Sequence, residues 1–146
     1  MTEHRVYLGL GSNLGDRRKN ISLAVELIGR RVGAVLRQST LIETEPWGFE
    51  SENWFLNGVV LCKTELSPRE VLEETQLIER VLWRTRKTFI PPAPEAPIYA
   101  DRTIDIDILL YDDLTVDEPD LKIPHPLMAQ RDFVMIPLAE IQAEEE

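Results

Sequence analysis

Between Thr103 and Leu110 the chain alternates isoleucine with aspartate before turning wholly apolar: Thr103-Ile104-Asp105-Ile106-Asp107-Ile108-Leu109-Leu110. Strict alternation fits a strand whose successive side chains leave opposite faces. Ile104, Ile106, Ile108 and Leu110 are expected to face a core, and Asp105 and Asp107 the other side. The two aspartate Cα atoms then stand roughly 6 to 7 Å apart. Aspartate is a poor strand former, and two like charges on one face repel. Hard carboxylate oxygens without His or Cys beside them suit Mg2+, which takes one or two carboxylates plus substrate phosphates. A merely solvated strand face is the competing reading.

The rest of the chain supplies partners for such a strand. A first strand is expected over Val6–Leu10, with a turn over Gly11-Ser12-Asn13-Leu14-Gly15-Asp16. The apolar spacing of Ile21, Ala24, Val25 and Ile28 predicts a helix, which Gly33 should end. A second strand follows over 34–43, a loop over 44–49 and a third strand over 55–64. Ser67 as N-cap, Pro68 at the first helical position and Glu70 three residues after the cap form a capping box. The helix they start, running to about Trp83, has Val71, Thr75, Ile78 and Leu82 as its inner stripe. Pro91, Pro92, Pro94 and Pro97 exclude a helix or central strand over 88–98. That long loop reads as a lid between Lys87 and Asp101. A last helix is expected after Pro126.

The resulting order, β-α-β-β-α-β, is that of an α+β ferredoxin-like fold. Both helices then cover one face of an antiparallel sheet, leaving an active site on the open other face. A length of 146 residues suits one domain over 1–146. Charge narrows the partners. With 26 acidic against 16 basic residues and a net charge of −10, a general nucleic-acid surface is not expected. No apolar run reaches the roughly 20 residues needed to span a bilayer. One cysteine, Cys62, lies in an apolar stretch and reads as a core residue of a cytoplasmic protein.

Cations gather near the aspartates in sequence. Arg84, Arg86 and Lys87 precede the long loop, Arg102 closes it and Arg131 comes later. Guanidinium forks match phosphate oxygens, and two acids with several arginines are a minimal set for phosphoryl transfer. A solvated helix end also explains the first group. Gln76 and Glu79 share one helix face, either as exposed polar residues or as ligand contacts. Asn57, inside an apolar strand, is a structural bridge or a substrate reader. His125, between two prolines, is a loop fixture or a site residue. Gly9, Gly11 and Gly15 read as turn formers, without a Walker A or dinucleotide-binding context.

Dispersed segments then match a known pattern in order: Gly11-Ser12-Asn13-Leu14-Gly15, Thr44-Glu45-Pro46-Trp47-Gly48, Phe55-Leu56-Asn57, Gln76-Leu77-Ile78-Glu79, Arg84-Thr85-Arg86-Lys87, Arg102-Thr103-Ile104-Asp105-Ile106-Asp107, Pro124-His125 and Arg131-Asp132-Phe133. With these the chain resembles the 6-hydroxymethyl-7,8-dihydropterin pyrophosphokinase family over nearly its whole length. It departs where Tyr99-Ala100-Asp101 lacks the family's proline before the arginine, and in a shorter C-terminal end.

The resemblance implies diphosphate transfer from ATP to the pterin in folate biosynthesis, by a monomer. Asp105 and Asp107 would hold two Mg2+ ions, and Arg84 and Arg102 would grip the phosphates and assist transfer. Gln76, Glu79, Arg86, Lys87, His125 and Arg131 would line the ATP site, with Ile108 seating the adenine. Thr44, Pro46, Trp47, Phe55, Asn57 and Phe133 would surround the pterin, with Tyr99 closing over it. Two other classes fit paired acids: a non-catalytic binding module, and a nucleotidyltransferase that releases pyrophosphate.

Overall fold

Strand β1 (His4–Ser12) pairs on both sides, so it lies inside the sheet. The computed structural model describes residues 3–45, 54–84 and 103–143, apart from the side chains of Trp83, Arg84 and Ala143. After β1 come α1 (Arg17–Arg31), β2 (Gly33–Gln38), β3 (Ile42–Thr44), β4 (Phe55–Thr64), α2 (Pro68–Arg84), β5 (Asp105–Tyr111), the hairpin β6 (Val116–Glu118) and β7 (Leu121–Ile123), and α3 (Asp132–Ala143). The main sheet runs β2-β4-β1-β5, every pair antiparallel, with β3 also on β4. This is the ferredoxin-like arrangement: β1-α1-β2 and β4-α2-β5 are two interleaved split βαβ units.

Local chemistry explains the helix starts. Asp16 caps α1, its carboxylate accepting from the Lys19 amide at 3.1 Å. The turn before it is tied by Asn20, whose side-chain amide donates to the Leu14 carbonyl at 2.8 Å. Gly15 takes φ 70 there, a conformation that costs glycine little. The capping box of α2 forms in both directions: the Ser67 amide donates to Glu70 Oε1 at 2.9 Å, and the Glu70 amide to Ser67 Oγ at 3.2 Å. The inner stripe Val71, Thr75, Ile78 and Leu82 is buried as expected.

One core cluster lies under α1 and α2 and joins Leu8, Leu10, Ile28, Val60, Ile78, Ile104, Ile106 and Ile108. Each such side chain contributes about 1.5 to 3 kcal/mol through burial. A second cluster lies on the opposite face, where Tyr7, Val59, Leu61 and Leu109 meet Val134, Leu138 and Ile141 of α3. The open face expected from the sequence is therefore half covered. Glu140 fastens α3 there, accepting from the Thr40 amide at 3.0 Å and the Thr40 hydroxyl at 2.7 Å.

Four further expectations are corrected. The single strand over 34–43 is two, β2 and β3, both paired to β4. Gly33 does not end α1. Val32 is the C-cap, and Gly33 opens β2, where a Cβ would meet the Lys63 carbonyl oxygen at 2.0 Å. Gly9 and Gly11 are not turn residues but lie within β1. Leu110 does not face the helix-side core. Tyr7 pairs with Leu110 but Leu8 with Ile108, so Leu109 is an extra residue at a bulge. The bulge turns Leu109 and Leu110 toward the α3 cluster and returns Tyr111 to the helix side.

Candidate active site

The half of the sheet that α3 leaves uncovered holds the acidic pair. Asp105 and Asp107 are half-buried on β5, between the buried Ile104, Ile106 and Ile108. Across β1 they face glycines, Asp105 opposite Gly11 and Asp107 opposite Gly9. Gly11 pairs on its other side with Asn57 of β4. Asn57, Gly11 and Asp105 thus form one row over three strands, spanning about 10 Å at two interstrand spacings. Gly11 keeps that row low. A Cβ at this position would lie 3.0 Å from Asn57 Oδ1 and 3.3 Å from Phe55 Cδ1.

Asn57 is buried, and its amide donates to Thr44 Oγ1 at 2.6 Å. Thr44 pairs with Phe55, whose ring is half-buried on the same patch. Thr44, Phe55 and Asn57 are therefore brought together as one platform. Phe133, in the first turn of α3, packs at the border of the second core cluster, with the Arg131 guanidinium carbon 5.6 Å from its ring centroid.

At the other end of the row, His125 reaches the acids. Its Nε2 stands 3.9 Å from Asp107 Oδ1, while Nδ1 accepts from the Leu127 amide at 3.2 Å. That acceptor role assigns the proton of the neutral ring to Nε2. Burial, helped by the positive charge of Arg131 and opposed by Asp105, lowers the His125 pKa from its ordinary value. Arg131 is buried although charged.

Beyond β5 lies a cavity of about 270 Å³, walled by Leu72 of α2, Ile106–Ile108, the β6–β7 hairpin from Pro119 to Lys122, and His125 with Pro126. Glu79 of α2 binds the outer edge of β5: its Oε2 accepts from the Ile106 amide at 2.8 Å. With the two-residue period of a strand, the Ile108 amide points outward in the same way, and Ile108 lines the cavity. Gln76, three residues before Glu79, is exposed.

The acids suit a divalent ion that brings other ligands with it. Among the described residues no group of three or more His, Cys, Asp and Glu is arranged to hold a metal. Two carboxylates on one strand face, each opposite a glycine of β1, fit Mg2+ completed by phosphate oxygens and water. Pro46, Trp47, Arg86, Lys87, Tyr99, Arg102 and the Arg84 side chain lie outside the described residues, as does the expected lid. The sequence reading missed the glycine pair as the floor of the site, and the β6–β7 turn as a cavity wall. Gly9 and Gly11, two apart and so on one face of a strand, were the available signal for the first. Strands of three residues left little for the second.

Comparison with known proteins places the chain in a family. The family model described as 7,8-dihydro-6-hydroxymethylpterin-pyrophosphokinase matches residues 7–143. A Porphyromonas gingivalis 2-amino-4-hydroxy-6-hydroxymethyldihydropteridine pyrophosphokinase is 51% identical over 137 residues, covering 93% of this chain and 89% of the relative. A Bacillus subtilis protein of the same name is 43% identical over 136 residues, covering 92% and 76%. Among solved structures, an HPPK-DHPS in complex with substrates superposes with a TM-score of 0.70 at 14% identity, covering 96% of this chain and 40% of that one. This last likeness concerns the fold. On the family match and these relatives, the chain belongs to the 7,8-dihydro-6-hydroxymethylpterin-pyrophosphokinase family.

Proposed function

We propose that the Asn57–Gly11–Asp105 row is the track along which the chain's reaction runs, with the pterin at its Asn57 end and the ATP phosphates at its aspartate end. As a member of its family the chain transfers diphosphate from ATP to 6-hydroxymethyl-7,8-dihydropterin, in folate synthesis. The single observation that supports the division of roles is the register, which sets an amide reader and a carboxylate pair in adjacent places on one sheet face.

In this reading the Phe55 ring gives a flat apolar surface for the pterin, and Asn57 with Thr44 offers donors and acceptors to the ring edge. Pro46, Trp47, Phe133 and Tyr99 complete that side. The adenine occupies the cavity beside Ile108, whose outward amide is a partner for the base. Gln76, Glu79, Arg86, Lys87, His125 and Arg131 border the nucleotide, with Nε2–H of the neutral His125 as a donor. Arg84 and Arg102 hold phosphate oxygens. Two Mg2+ ions on Asp105 and Asp107 would supply charge neutralisation and make the β-phosphorus more electrophilic. The hydroxymethyl oxygen attacks the β-phosphorus in line and loses its proton to water, the bond between the β-phosphorus and the α–β bridging oxygen breaks, and AMP leaves. Holding the two reactants on one rigid sheet face provides the proximity such a transfer needs. The chain is read as a single domain and, since one chain provides both ends of the row, as a monomer. The buried thiol of Cys62 and the ATP requirement support a cytoplasmic place.

The test mixes protein, ATP, Mg2+ and hydroxymethyl-dihydropterin and separates the products. AMP and the pterin diphosphate are expected, and a chelator should abolish both. Pyrophosphate with a nucleotidyl adduct would support the nucleotidyltransferase instead. Undiminished turnover in excess chelator would overturn the metal assignment.

A further inference from the structure

Arg17 is the first residue of α1, immediately after the Asp16 cap. Its guanidinium spans two other parts of the chain. Nη2 donates to Glu43 Oε2 at 2.5 Å and Nη1 to the Trp54 carbonyl at 3.0 Å. Glu43 directly precedes Thr44, and Trp54 directly precedes Phe55. Thr44 and Phe55 are paired with each other across β3 and β4, and Thr44 carries the hydroxyl that receives the Asn57 amide. Arg17 therefore grips the residue just before each of two platform residues.

The post that carries this grip is rigid. The backbone at Arg17 is held by the Asp16 cap, by Asn20 bonded to the turn, and by the buried Ile21, Ala24 and Ile28 of α1. The gripped strand is the weaker partner, since β3 has three residues and pairs only with β4 among the described strands. A planar guanidinium with two forked bonds fixes direction as well as distance, which a single ammonium does not. The ion pair is partly exposed, with side chains 31% and 51% accessible, and such pairs add little to global stability. Its effect is on local geometry.

We infer that Arg17 is a positioning residue for the pterin, acting through Glu43 and Trp54 on Thr44, Phe55 and Asn57, and not on the nucleotide. The inference rests on the assignment of the pterin to this platform. Displacement of a substrate platform by a fraction of an ångström is enough to change rates severalfold.

The test is steady-state kinetics of Arg17→Ala, Arg17→Lys and Glu43→Gln, each varied against both substrates, with thermal melting alongside. Arg17→Ala should raise KM for hydroxymethyl-dihydropterin about tenfold, with KM for ATP within about twofold and the melting temperature nearly unchanged. Arg17→Lys should recover part of the loss, and adding Glu43→Gln to Arg17→Ala should cost less than the sum of the two. Pterin titration onto the wild type with Mg2+ and a non-hydrolysable ATP analogue separates the layers of the argument. Loss of pterin binding in Asn57→Ala alongside an unchanged pterin KM in Arg17→Ala overturns the role of Arg17 alone. Equal rises in both KM values overturn it as well. Undiminished pterin binding in Asn57→Ala overturns the platform and the Arg17 inference together.

Discussion

Asn57 and Asp105 lie in one row of the sheet with Gly11 between them, the three residues belonging to β4, β1 and β5. The residues proposed to read the pterin and to hold the metal are thereby joined by backbone hydrogen bonds and not by a flexible connection. The distance between the two substrate ends is built into strand spacing.

Gly11→Ala should separate activity from stability. Alanine is no worse than glycine inside a strand, but its Cβ would stand 3.0 Å from Asn57 Oδ1 and 3.3 Å from the Phe55 ring. The side chains must yield by a few tenths of an ångström. We expect pterin kcat/KM to fall about tenfold or more, with a stability change within about 1 kcal/mol. Kinetics and urea unfolding on the same preparation give both numbers.

Asp105→Ala and Asp107→Ala should each leave a folded, inactive protein. Loss of the proposed metal neutralisation should remove several kcal/mol of transition-state stabilisation, which is a rate loss of about a thousandfold or more. Each substitution also removes one member of a like-charged pair on β5, so the melting temperature in metal-free buffer should hold or rise. Near-normal turnover by either variant would discard the assignment.

Much of this arrangement is legible in the sequence. The capping box at Ser67 and Glu70 is written in neighbouring residues, and the Ile/Asp alternation needs no tertiary information. What could not be read depends on partners distant in the chain. The bulge at Leu109 arises from the pairing of β5 with β1 and has no local marker. The cover by α3 depends on how Val134, Leu138 and Ile141 meet Tyr7 and Leu61. Asn57 stayed ambiguous because its meaning lies in Thr44 and Gly11, which other strands bring to it. The site was thus visible as residue types, while its floor was not.

Arg69 should matter for the nucleotide. It binds Glu118 and, at 2.7 Å, Asp120, on either side of Pro119 in the β6–β7 turn. That turn forms a wall of the cavity beside Ile108, and a hairpin of two three-residue strands needs such tethers. Arg69→Ala should raise KM for ATP severalfold with pterin KM unchanged. High salt should weaken ATP binding in the wild type more than in the variant, because exposed ion pairs are screened. An ATP KM identical to wild type at low salt would show that the wall stands without Arg69.

Cys62 should be inert in the native protein. Burial pushes its thiol up to about 12 from an ordinary 9.0, so at pH 8 almost no thiolate forms. Labelling by a thiol reagent should be slow in buffer and fast in urea. The sign of the linkage follows: the raised value gives stability that is complete below about pH 9 and lost as pH rises toward 12. The urea midpoint should therefore fall between pH 8 and pH 10.5, and this part of the fall should vanish in Cys62→Ala.

Asn57→Ala should weaken pterin binding far more than ATP binding. The side chain is buried and donates to Thr44 Oγ1 at 2.6 Å, so its removal leaves a threonine hydroxyl and the pterin edge without a partner. An unmet buried hydrogen bond costs about 1 to 3 kcal/mol, or roughly five- to 150-fold in pterin affinity. The proposed phosphate end of the row, at Asp105, is about 10 Å away across two strand spacings, so ATP should lose no contact. A purely structural Asn57 would instead lower stability and affect both ligands alike. Calorimetric titration of each ligand, combined with Thr44→Val in a double-mutant cycle, distinguishes the cases. Strong coupling confined to the pterin supports the reading role. Equal losses for both ligands would make Asn57 a bridge between β3 and β4 and nothing more.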